Sequence, residues 1–101
     1  MKNNNCLINL LKYILLLQNN SITSCNAYNT RIITLYNKQG DVITTNDSPY
    51  YRVNKIKDNC VELLVLSLND DVYSSTGQYI TVNIKCICAV KCIEDVNVNN
   101  I

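Results

Sequence analysis

The stretch from Tyr79 to Val90 constrains this chain more than any other. Ile80, Val82, Ile84, Cys86, Cys88 and Val90 alternate with Thr81, Asn83, Lys85, Ile87 and Ala89. A period of two is the spacing of side chains on one face of a β-strand. The stretch therefore predicts a half-buried strand with an apolar face that includes Cys86 and Cys88. If the strand stays regular it also includes Cys92. An amphipathic strand needs neighbours, and the chain upstream supplies them. Arg31–Tyr36 is β-branched and aromatic and reads as a strand. Asn37–Asp41 is a turn containing Gly40, and Val42–Thr45 returns as a second strand. Asn46–Pro49 is a loop, because proline cannot donate to a ladder. Tyr50–Ile56 is a third strand and Lys57–Asn59 a turn. Cys60–Leu68 is apolar except at Glu62 and Ser67, as expected of a central strand buried on both faces. Residues 69–78 read as a polar connection containing Gly77.

The N-terminal segment has a different period. Leu7, Leu10, Leu11, Ile14, Leu15 and Leu17 recur at helical spacing, with Asn9 and Lys12 on the other side. This predicts an amphipathic helix from about Cys6 to about Gln18. Residues 19–30 are rich in Asn, Ser and Thr and read as a loop. The expected architecture is mainly β: an N-terminal amphipathic helix followed by a small antiparallel β sandwich or barrel. Its parts are a helix and loop over 1–30, a β domain over 31–93, and a loose polar tail over 94–101.

At 101 residues the chain suits one domain with one modest core. Nine Lys and Arg against eight Asp and Glu give no basic footprint for nucleic acid. Only 17% of residues are charged, and a charge-poor, nearly neutral surface favours association. Histidine is absent, which removes the commonest general base and metal ligand. Two glycines leave no room for a phosphate-binding loop. The acids Glu62, Asp70, Asp71, Glu94 and Asp95 show no paired placement. No catalytic set and no cofactor are expected. Seven tyrosines serve as the large amphipathic side chains in a chain without Phe or Trp.

Six cysteines carry what chemistry there is: Cys6, Cys25, Cys60, Cys86, Cys88 and Cys92. Three crowd into C-I-C-A-V-K-C. Buried free thiols behave as small hydrophobes. Thiolates could bind a metal, with Cys60 or Cys25 as fourth ligand, although C-x-x-C knuckles are missing. Disulfides are the third reading. Cys86 and Cys88, two apart on one strand face, cannot bond each other without distortion and need partners on another strand or subunit. Leu7–Leu17 is too short to span a bilayer. Ile22-Thr23-Ser24-Cys25 has the form of a lipobox, which would make Cys25 a lipid-anchored N-terminus, but the polar run Gln18–Ser21 precedes it.

The residues Tyr79 to Ile93, with C-I-C-A-V-K-C-I at their end, resemble the closing signature of the spore coat protein Y/Z family (CotY and CotZ, with the exosporium protein ExsY). Tyr51-Arg52-Val53 and Asp58–Leu66 resemble the family's preceding hairpin, with its cysteine before an apolar strand. Cys6, Leu11, Ile14 and Leu17-Gln18 resemble its N-terminal helix. The chain is shorter and poorer in cysteine than typical members, and Ile87 replaces the usual Phe. The resemblance implies a structural protein of the bacterial endospore coat or exosporium. Such a protein is made in the mother-cell cytoplasm and assembles with itself and other coat proteins into a disulfide-stabilised layer. Carried over by position, Cys60, Cys86, Cys88 and Cys92 are the cross-link candidates, followed by Cys6 and Cys25. Mother-cell cytoplasm keeps thiols reduced, so the bonds would form late.

Overall fold

One N-terminal helix precedes a five-stranded antiparallel sheet in the computed structural model, which describes residues 5–20, 28–99 and 101. Helix α1 spans Asn5–Asn19. Leu11, Ile14 and Gln18 lie on one side of it and are buried, while Cys6, Asn9, Tyr13 and Leu16 face out. Among the described residues, no helix is long and apolar enough to cross a membrane.

The strands are β1 (Thr30–Tyr36), β2 (Tyr50–Lys57), β3 (Cys60–Asn69), β4 (Val72–Asn83) and β5 (Ala89–Val96). Their order across the sheet is β4-β3-β2-β1-β5. Two-residue turns join β2 to β3 and β3 to β4. In the second, Asp70 and Asp71 have φ of 51° and 65°, the left-handed pair that matches the twist of a tight hairpin. Strand β3 has partners on both sides, and Leu63–Leu66 are buried without a break.

Strands β1 and β2 are directly opposed only at Ile33 and Tyr51. Beyond that point they diverge, and Gln18 fills the gap. Its Nε2 donates to the Val53 carbonyl at 2.8 Å, and its Oε1 accepts from the Arg31 N–H at 3.1 Å. Arg31 and Val53 are the residues that would face each other had the register continued. The side-chain amide thus replaces a peptide group in the ladder and closes the seam with the end of α1. Nearby, Arg52 spans the same two strands by donating to Thr30 Oγ1 and the Asn29 carbonyl.

The core has two parts. The larger joins Leu11 and Ile14 of α1 to Ile33, Leu35, Tyr51, Val53, Val61, Leu63 and Val65. The smaller joins Ile32, Leu64, Leu66, Tyr73 and Val98. Consecutive residues such as Ile32 and Ile33 fall into different parts, so both sheet faces are covered where β1 and β3 run.

Four expectations change. Val42–Thr45 is not a strand: Val42 and Thr45 make only isolated bridges, to Tyr36 and Ser48. The segment bends back on itself, held by Ile43 N–H to the Leu35 carbonyl and by Tyr51 Oη donating to the Ile43 carbonyl. Residues 72–78 are strand, not connection. Only Asp70-Asp71 turn, and the Ser and Thr residues that suggested a loop line the sheet margin. The regular strand expected through Cys92 is broken. β4 ends at Asn83, a 3₁₀ turn covers Ile84–Cys86, and β5 starts at Ala89 on the opposite edge. Asn83 Oδ1 caps the turn by accepting from Lys85 N–H, and the Ile84 N–H is taken by the Asn59 carbonyl. Ile84 and Ile87, three apart, are the buried pair of this strap, so a period of three interrupts the period of two. Finally, β5 runs past residue 93 to Val96, and Val98 is buried. Asn29 fastens that end, its Nδ2 donating to the Val98 carbonyl and its Oδ1 accepting from the Val98 N–H.

Candidate functional site

The break in the strand decides where Cys86 and Cys88 go. Cys86 ends the 3₁₀ turn and Cys88 follows it, its N–H donating to the Tyr36 carbonyl at 2.8 Å. Both side chains are exposed, not on the buried face that an unbroken strand would have given them. Cys92 lies opposite Ile33 on β5, on the core side of the sheet, but at its edge, and it too is exposed. Cys60 opens β3, directly across from Lys57 on one side and Asn83 on the other. It lines a shallow depression of about 140 Å³ with Lys55, Lys57, Glu62 and Thr81. Cys6 is exposed on the first turn of α1. Cys25 lies outside the described residues.

All five described cysteines are free and exposed. That overturns the small-hydrophobe reading for each of them. Cysteine is among the residues most often buried in folded domains, so five outward thiols in one small chain need a reason. Among the described residues, no three His, Cys, Asp or Glu side chains come together in a way that would hold a metal ion. The strap and the β2–β3 turn share one end of the sheet through the Ile84–Asn59 hydrogen bond, which brings Cys60 and the Cys86 turn to the same region. Cys92 and Cys6 sit elsewhere, on the β5 edge and the helix.

Arg31 and Asp95 make a two-point surface pair at 2.8 and 3.1 Å, which holds the Asp95 carboxyl below its ordinary range and the guanidinium above its own. Glu62 accepts from Asn54 Nδ2 at 2.6 Å. Tyr73 packs edge-on against Tyr50 at 5.2 Å, and burial, together with nearby Glu94, pushes its hydroxyl up to about 12. Tyr51 is wholly buried and serves the core, while Tyr13 and Tyr79 are about half exposed.

Two features escape a reading of the sequence. Gln18 gives no periodic signal, since it is a polar residue on an apolar face. The edge position of β4 is equally hidden, because Val72–Asn83 contains neither the charges nor the proline that usually mark an edge strand. Comparison with protein-family models, with curated proteins and with solved structures finds no match to this chain.

Proposed function

We propose that this chain is a structural protein that assembles with copies of itself into an ordered layer, later consolidated by disulfides between copies, and that the layer is the coat or exosporium of a bacterial endospore. One observation carries the assembly reading: every described cysteine is exposed and none is bonded within the chain. Outward thiols that have no partner within the chain can be satisfied across copies. A charged fraction of 17% and a net charge of +1 leave little repulsion to keep copies apart. The spore assignment rests on the likeness of Tyr79–Ile93 to the coat protein Y/Z signature.

Packing between copies sets the geometry and covalent bonds follow. In the reducing cytoplasm of the mother cell the thiols stay reduced. After lysis, two thiols give two electrons and two protons to dioxygen, leaving a disulfide and hydrogen peroxide. Negative-stain electron microscopy of the purified full chain tests the order of events. Ordered sheets, rings or tubes are expected both with and without reductant, and dispersed particles in both would overturn the reading. A variant with Ser at Cys60, Cys86, Cys88 and Cys92 is expected to assemble as before. Its layer should dissolve on heating in denaturant without reductant, where the parent layer resists. Immunogold labelling of sporulating cells tests location: label on the forespore surface is expected, and label confined to the cytoplasm or cell envelope contradicts it.

A further inference from the structure

The two edges of the sheet, β4 and β5, have no ladder partner on their outer sides among the described residues. Natural edge strands are guarded by charges, proline, bulges or cover, because open backbone groups recruit other strands. Each edge here is guarded over half its length only. In β4 the register breaks between Leu64 and Leu66, where Thr76–Gln78 bulge out with Gly77 at φ 77°. Thr76 Oγ1 donates to the Val65 carbonyl there, and Asn97 and Asn99 flank the strand's first half. The second half, Tyr79–Asn83, is regular, uncharged and β-prone. In β5 the register breaks at Ile93, and Glu94 and Asp95 charge the strand beyond it. Ala89–Cys92 is regular and open.

The two open runs also match in what they leave unburied. Ile80 and Val82 of β4 lie opposite Leu63 and Val61, and Val90 and Cys92 of β5 lie opposite Leu35 and Ile33. Those four partners belong to the larger core, while Ile80, Val82 and Val90 are only partly buried against it and Cys92 is exposed. The core is thus unfinished at both edges and on the same face.

We propose that Tyr79–Asn83 of one copy pairs parallel with Ala89–Cys92 of the next, a seam that rests on the self-assembly reading above and supplies its non-covalent contact. Strands β4 and β5 run in the same direction at opposite edges of the sheet, so copies set side by side with their core faces aligned bring the two strands together in parallel. The register that matches their apolar residues sets Ile80 beside Val90 and Val82 beside Cys92 of the neighbouring copy. On the other face, Thr81 then meets Lys91 and Tyr79 meets Ala89. Each copy has one edge of each kind, so the contact is head-to-tail and either closes into a ring or extends as a filament.

The Thr81–Lys91 pairing gives the test, run on the full chain in reductant so that disulfides play no part. Both side chains are exposed, so substitutions there spare the core, and thermal unfolding checks that they do. Sedimentation over a concentration series should show Thr81→Lys assembling about fivefold more weakly at each seam, because like charges then face each other across strands. Thr81→Glu should assemble at least as well as the parent. Adding Lys91→Glu to Thr81→Lys should restore assembly. If Thr81→Lys assembles like the parent, the seam is wrong while self-assembly stands. If Thr81→Lys weakens assembly and Lys91→Glu does not restore it, β4 is engaged by something other than β5, which also overturns the pairing. A parent chain that stays monomeric at every concentration overturns both readings.

Discussion

At the scale of single residues, the largest surprise is a buried glutamine that acts as backbone. Gln18 is 5% exposed, and both ends of its amide are used, one on each side of a splayed pair of strands. Replacing it with Leu keeps the volume but leaves the Arg31 N–H and the Val53 carbonyl without partners, at about 1–3 kcal/mol for each group left unmet. Urea unfolding of Gln18→Leu should therefore show a loss of that order, and Gln18→Glu should restore only the acceptor side. Thr34 is the opposite case. It is 6% exposed and its Oγ1 has no hydrogen-bond partner among the described residues. Thr34→Val removes an unmet hydroxyl, and is expected to leave stability unchanged or raise it by up to about 1 kcal/mol. Tyr73 sets an alkaline limit. Its hydroxyl titrates near 10 in the unfolded chain and is pushed up to about 12 in the fold, so the folded state holds the proton more tightly. That contribution is complete below pH 10 and is lost as pH rises from 10 through 12. Tyr73→Phe should flatten the fall in stability across that window in denaturation titrations.

At the scale of elements, the parts that could be read from sequence are those with one unbroken signal: helical spacing in α1, β-branched and aromatic residues in β1, a run bounded by Pro49 and a turn in β2, and an apolar run in β3. Each falls within a few residues of its expected span. The Val42–Thr45 segment has strand residues but no room for a ladder, because the β1–β2 connection folds back and spends its hydrogen bonds on Leu35 and Tyr51. The Val72–Gln78 half of β4 was hidden by its Ser and Thr residues, which suit a solvated edge as well as a loop. The strap was hidden because Ile84 fits a period of two with Val82 and a period of three with Ile87. Only the fold decides between them, by moving the chain from one edge of the sheet to the other. The strap's two isoleucines are 1% and 2% exposed and plug the larger core. Ile84→Ala or Ile87→Ala should cost about 2–5 kcal/mol. Lys85→Ala, between them and exposed, should stay within about 0.5 kcal/mol of the parent. Equal losses at all three positions would mean that the strap is held by its backbone and not by its side chains.

At the scale of the whole molecule, the positions of the thiols were legible but their exposure was not: for Cys86 and Cys88 it follows from the broken strand, and for Cys92 from the edge position of β5. The same break places one open run on each side of the sheet. The seam proposed from these runs is made of backbone hydrogen bonds and apolar side chains, with Lys91 the one charge in its two segments. Interactions between exposed charges fade once the ionic strength brings the Debye length down to ~3 Å at about 1 M salt. An assembly held by surface ion pairs therefore loosens over that range, while one held by ladder bonds and apolar burial does not. In reductant, the association constant of the full chain is expected to change by no more than about twofold between 0.1 and 1 M sodium chloride, read by sedimentation. The midpoint of thermal unfolding should rise with protein concentration at both salt levels, because association stabilises the folded chain by mass action. Dissociation on adding salt would place the contact on charged groups such as Arg31 and Asp95, away from the β4 and β5 edges.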